Sequence, residues 1–326
     1  MASDNLTLVG QALLTLGVGC GGMVALFYGL NRGVERLPDP WRSRLLPWVY
    51  LSPALGVLLA YLVLPTLNTL YLSVLDRSSS QFVGLSNYQF AFSDRAMVSA
   101  FGNNLVWLGV VTSVSVGLGL GLAVMVDRVR YETLIKTTIF LPMAISFVGS
   151  SVIWKFIYDF RPQGFPQIGL LNGIITQIGL DPVGWLVIRP WNNLALMVIM
   201  IWLQTGFCMV LLSAAIKGIP SDILDAARID GSTEWQIFWR IIVPMTRSTL
   251  LVVATTVIVA VLKVFDIVFV MTGGNLGTEV IASRMIKEMF NYRNFGHGSA
   301  IAVILLLAVI PVMVTNIRRF QQQESA

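Results

Sequence analysis

Residues 217–249 read KGIPSDILDAARIDGSTEWQIFWRIIVPMTRST, a polar stretch between two long apolar runs that is patterned too closely for a simple connector. Ile219-Pro220 breaks the preceding helix, because proline has no N–H to donate. Ser221 is placed to cap a new helix, and Asp222 and Asp225 fall in its first turn, where carboxylates suit exposed N–H groups. Gly231 supplies the left-handed position that ends it. Thr233, with Gln236 three residues on, makes a capping box for a second helix over 235–242, stopped by Pro244. The expectation is two short helices at an angle. Ile223, Ala226, Ala227 and Asp230 lie within helical reach of one another and give the first helix a flank of mostly small side chains, open to close approach. Trp235, Phe238, Trp239 and Ile242 form an aromatic stripe suited to a membrane interface.

The rest of the chain belongs in lipid. Of 326 residues 56% are hydrophobic and only 12% charged, with mean hydropathy +0.75, against about 25% charge in a soluble domain. Seven windows are long and apolar enough to cross a bilayer: 8–30, 45–67, 103–125, 138–158, 192–215, 250–271 and 299–317. The first lacks a preceding Lys or Arg and exceeds a signal-peptide core, so it is expected to be retained. Lys and Arg divide thirteen to seven between the two faces. Arg32, Arg36, Arg42, Arg44, Arg128, Arg130, Lys136, Lys217, Arg228, Arg240, Arg247, Arg318 and Arg319 share the richer face, which sets the N-terminus outside and the C-terminus in the cytoplasm. Three outside connections, 68–102, 159–191 and 272–298, are long enough for small lid helices.

Composition also excludes partners. A formal charge of +5, scattered between apolar runs, makes no nucleic-acid face. Cys20, Cys208 and a single histidine, His297, build neither a disulfide framework nor a metal site. No glycine-rich phosphate loop with its Lys occurs, and no set of nucleophile, acid and base converges, so no enzyme activity is expected.

Asp225-Ala226-Ala227-Arg228-Ile229-Asp230-Gly231, followed after nine residues by Ile241-Ile242-Val243-Pro244, resembles the cytoplasmic Glu-Ala-Ala…Gly…Ile-x-Leu-Pro signature of inner-membrane permeases in binding-protein-dependent ABC importers. Asp225 stands for the usual Glu and Val243 for Leu. Phe82-Val83-Gly84-Leu85 with Asn87-Tyr88, Phe140-Leu141-Pro142 with Trp154-Lys155, Phe265-Asp266, Thr272-Gly273-Gly274 and Gly298-Ser299-Ala300 resemble the carbohydrate branch, the alpha-glucoside uptake type above all. The resemblance implies an all-α polytopic membrane protein: a six-helix type I permease core over 45–317 with coupling helices at 222–244, one extra N-terminal transmembrane helix in 1–44, and a short tail, 318–326. It implies Asp225, Ala226, Ala227, Asp230 and Gly231 as contacts to an ATP-hydrolysing subunit. It further implies a prokaryotic inner membrane, a second homologous permease, two ATP-binding subunits that hold ATP and Mg, an external solute-binding protein and a carbohydrate cargo. This chain itself is expected to bind no cofactor.

Candidate path residues come from cost. A charge at the bilayer centre costs about 2.5–3.5 kcal/mol on insertion scales, so Lys263 and Asp266, three apart on one expected helical face, should look toward protein or water. They fit either a salt bridge within the bundle or the wall of a sugar path. Gln204 is a further polar group within a span. Thr272, Gly273, Gly274 and Asn275 fall where helix yields to irregular backbone, at the outer mouth, as gate or receptor contact. The alternatives are a permease for another small polar solute and an ion-coupled secondary carrier.

Overall fold

The computed structural model describes residues 2–36, 38–127 and 129–324, all helices and turns apart from one isolated bridge between Leu75 and Phe82. The chain divides into two compact units, Met1–Asn68 and Thr69–Ala326. The first holds α1 (Ala2–Glu35) and most of α2 (Asp39–Leu72). These two helices pair through Phe27 stacked on Tyr50 and the Tyr50 hydroxyl donating to Asn31. Pro53 lies inside α2, which widens into a π turn at Leu59–Val63 before continuing.

The second unit holds α3 (Ser86–Ser93), α4 (Arg95–Val126), α5 (Glu132–Phe140), α6 (Phe147–Ile157), α7 (Leu170–Gln177), α8 (Trp191–Lys217), α9 (Ser221–Ile229), α10 (Glu234–Met245), α11 (Arg247–Leu262), α12 (Asp266–Thr272), α13 (Ile281–Ile286) and α14 (Phe295–Glu324). Its axis is the pair α4 and α8, hydrophobic on nearly every face, as helices shared between bundle and lipid must be. Trp107 and Val111 of α4, Leu196, Ile199, Met209 and Leu212 of α8, and Val253 and Val257 of α11 are fully buried. Glycine sets the closest approaches. A Cβ on Gly119 would collide with Cys208, and one on Gly206 with the backbone of Ile139 and Phe140, whereas Gly117 and Gly121 face open space. Small residues let helices close in where no hydrophobic force drives them together in lipid.

Five helices among the described residues are long and apolar enough to cross a membrane. The other two expected spans differ from the sequence reading. The fourth breaks after the Leu141–Ala144 3-10 turn and resumes at Phe147, with a 102° bend between its halves. Pro142 and the Ser146 side chain, which caps Gly149 N–H, account for the break. The sixth is interrupted at Lys263–Phe265, so Lys263 and Asp266 do not share one helical face as expected. The three long connections, 68–102, 159–191 and 272–298, each carry a short helix, α3, α7 and α13. Gly84 sits at φ +61°, and Asn87 donates to the carbonyls of Ser73 and Leu75 at 2.9 and 2.7 Å, so this segment fastens the first connection to itself.

Candidate functional site

Three places in the second unit carry the residues singled out in the sequence. At α9 and α10, Pro220 precedes the helix and Ser221 makes no capping bond, so the expected Ser221 cap is absent: the serine is already the first helical residue. Gly231 takes φ +81° with open space about it, and Ser232 N–H closes the turn on Ala227 O at 3.0 Å. The capping box forms with both bonds, Thr233 N–H to Gln236 Oε1 and Gln236 N–H to Thr233 Oγ1. Arg228 bridges the two helices, pairing with Asp225 at 2.7 Å and Glu234 at 2.9 Å. Those two carboxylates, Glu234 first, hold its guanidinium above the ordinary arginine value.

The faces divide more sharply than the spacing suggested. Leu224 and Ala227 pack toward the core, while Asp225, Ala226 and Asp230 stand exposed, as does Ile229 at 86%. Ala227 is therefore not on the outward flank with Ala226. Pro244 does not stop the second helix at Ile242 either: a π turn at Phe238–Ile242 carries it on to Met245, and a 73° bend at Thr246 leads into α11. Trp235, Phe238 and Trp239 cluster ring to ring, with Trp235 and Trp239 exposed and Ile242 buried.

The second place lies where the two broken spans meet. Phe147, at the start of α6, Met200 of α8 and Lys263, Phe265 and Asp266 at the interruption line a cavity of about 220 Å³. Helix-free backbone at membrane depth is tolerated where it lines such a cavity. Lys263 is exposed and Asp266 half-buried, and among the described residues no ion pair joins them. Gln204 is half-buried on α8 and is not among the walls.

The third place is the loop that follows α12. Gly273, Gly274, Leu276 and Gly277 all have positive φ, of 61°, 71°, 56° and 80°, an outlier for leucine. Thr272 and Thr278 hydroxyls meet at 2.6 Å across it, and a Cβ on Gly274 would collide with the Glu279 carboxylate. Asn103 Nδ2 donates to Gly277 O and Glu279 O at 2.7 and 2.8 Å, Asn192 Nδ2 to Leu276 O at 2.9 Å, and Asn104 Oδ1 accepts from Ile281 N–H at 2.8 Å. Sequence reasoning overlooked Asn192 and Asn193. The visible signal is an asparagine pair at the start of each of two apolar windows, 103–125 and 192–215.

Residues 113–324 match the family model described as binding-protein-dependent transport system inner membrane component. The chain belongs to this family. It is a multi-pass, non-catalytic transport permease. The osmoprotective compounds uptake permease protein GgtC of Synechocystis sp. is 69% identical over 276 residues, 85% of this chain and 99% of that one. The alpha-glucoside transport system permease protein AglF of Rhizobium meliloti is 49% identical over 273 residues, covering 83% of this permease and 81% of the relative. Among solved structures, a chain of a bacterial alginate ABC transporter, crystallised with its alginate pentasaccharide-bound periplasmic protein, superposes with a TM-score of 0.75. It covers 86% of this permease and 95% of that chain at 22% identity, a likeness of fold.

Proposed function

We propose that this permease carries a small neutral glycoside, an alpha-glucoside, a di- or oligosaccharide or a glycosyl-polyol, into the cytoplasm. The similarity to GgtC over nearly that relative's whole length, joined to AglF at 49%, is the observation that carries the reading. One relative's name specifies osmoprotective compounds and the other alpha-glucosides, and a glycosylated polyol satisfies both chemistries. The cavity agrees: Phe147 and Phe265 offer ring faces, and Lys263 and Asp266 offer one donor and one acceptor head for hydroxyls.

In this reading residues 45–317 form the permease domain and the helix within 1–44 is an addition. The N-terminus lies outside and the C-terminus in the cytoplasm. Asp225, Ala226, Ala227, Asp230 and Gly231 belong to the element that meets an ATP-hydrolysing subunit, with Asp225, Ala226 and Asp230 as direct contacts and Ala227 and Gly231 setting its shape. Thr272, Gly273, Gly274 and Asn275 shape the outer mouth where a solute-binding protein delivers its cargo. A second homologous permease completes the path, and ATP and Mg stay on two partner subunits. Gln204, off the cavity wall, is a helix-packing residue.

Uptake by the reconstituted complex, with its binding protein and ATP, tests this. A labelled glycosyl-polyol should enter, unlabelled alpha-glucosides should compete, and an uncoupler should leave the rate unchanged. Uptake of a zwitterionic, sugar-free osmolyte with no competition from glycosides would transfer the assignment to another small polar solute. Abolition by the uncoupler without ATP dependence would favour a secondary carrier.

A further inference from the structure

The asparagines behind the loop that follows α12 form an ordered chain of bonds. It begins at Trp107, fully buried on α4, whose indole N–H donates to Asn193 Oδ1 at 2.7 Å. Indole can only donate, so it fixes the Asn193 amide with oxygen toward Trp107 and nitrogen away. That nitrogen donates to Asn103 Oδ1 at 3.0 Å, which in turn leaves Asn103 Nδ2 directed at the carbonyls of Gly277 and Glu279. Asn103 and Trp107 are four apart on α4 and so share a face, while Asn193 reaches them from α8.

A parallel tie starts on the same helix. Asn192 Oδ1 accepts from Asn193 N–H at 2.8 Å, and its Nδ2 holds Leu276 O, which Arg189 Nε also holds. Leu276 is the non-glycine residue of the loop at positive φ, a conformation that persists only where surroundings over-determine it. Asn192 and Asn193 are buried, so a lost bond there finds no water to replace it.

We infer that Asn103, Asn192 and Asn193, oriented by Trp107, are positioning residues that bolt the 273–279 loop to α4 and α8, so that the loop moves as one body with these two spans. A flexible mouth would report nothing inward. A bolted one converts pressure from outside into displacement of the helix pair that forms the axis of the fold. The transport half of this inference rests on the proposed delivery by an external binding protein; the mechanical half does not.

Hydrogen exchange on the assembled complex in lipid nanodiscs tests the mechanical half. Amides of 274–279 should exchange slowly in the native chain. Asn103→Asp keeps the acceptor for Asn193 but cannot donate, and should speed them ten-fold or more. Trp107→Phe touches no part of the loop and should speed them less, by releasing the Asn193 amide to flip. The transport half is read as a split: uptake at saturating binding protein falls in both variants, less in Trp107→Phe, while assembly and receptor-independent ATP hydrolysis stay at native levels. Unchanged exchange in both variants overturns the inference, as does faster exchange with native uptake. A parallel fall of assembly, hydrolysis and uptake would reduce the asparagines to packing and overturn it too. If the native complex imports nothing with its binding protein, the proposed function fails while the exchange result still decides whether the loop is bolted.

Discussion

Gly231→Val isolates the turn between α9 and α10. Gly231 has φ +81° and no atom within 4 Å of where a Cβ would sit, so the substitution meets no clash and its cost is conformational. Forcing an L-residue into the left-handed region costs roughly 1–2 kcal/mol. Opposing it are the Arg228 pairs with Asp225 and Glu234, both exposed and screened by solvent and therefore weak. The pairs can partly hold the turn without cancelling the penalty. A cost of about 1–2 kcal/mol is a factor of roughly 5–30 in the population of the closed turn. Solute imported per ATP should fall by that order in proteoliposomes, with membrane insertion unaffected. Gly231→Asn, which enters the left-handed region readily, should stay near native. Native coupling in the Val variant, or equal damage from Asn, would refute the reasoning.

Helix contact predicts a contrast: Gly206→Ala should lower the melting temperature of the complex, by overpacking worth about 1–3 kcal/mol, whereas Gly121→Ala, facing open space, should not. Lys263→Met and Asp266→Asn should each raise the half-saturating solute concentration at least several-fold in the reconstituted complex, and unchanged values would remove the cavity from the path. In the connection 68–102, the Gln81 N–H, then the Ser78 hydroxyl and the Ser80 N–H, hold the Asp76 carboxyl well below its ordinary value of 3.8. Its lowered value means the stabilisation is present above about pH 4 and fades as pH falls through the folded value. Protection of the Ser80 and Gln81 amides should therefore survive at pH 4 in the native chain and be weaker in Asp76→Asn at neutral pH. Deletion of residues 2–35 should leave uptake intact in correctly inserted, assembled complexes.

Local chemistry was legible and long-range chemistry was not. Gly231 and the Thr233–Gln236 box announce themselves because turn and cap are made by residues three to five apart, and the structure has both. Ser221 looked equally convincing, yet the helix begins one residue early, behind Pro220. Pro244 carried a stop signal that a π turn absorbs, and such a turn leaves no mark in hydrophobic periodicity. The interruption at Lys263–Phe265 has neither proline nor glycine; only the charges of Lys263 and of Asp266 just beyond it betray it. Asn103 and Asn193 come together although 90 positions apart, a proximity that only the packing of α4 on α8 creates.

Cross-linking from Ala226 tests directly whether the α9–α10 pair receives force from an ATP-driven partner. In a background of Cys20→Ser and Cys208→Ala, the thiol introduced by Ala226→Cys should bond to a cysteine engineered into the cleft of the ATP-hydrolysing subunit. It should also resist membrane-impermeant maleimide applied to intact cells. Labelling from outside, with no cross-link to that subunit under any nucleotide condition, would contradict it.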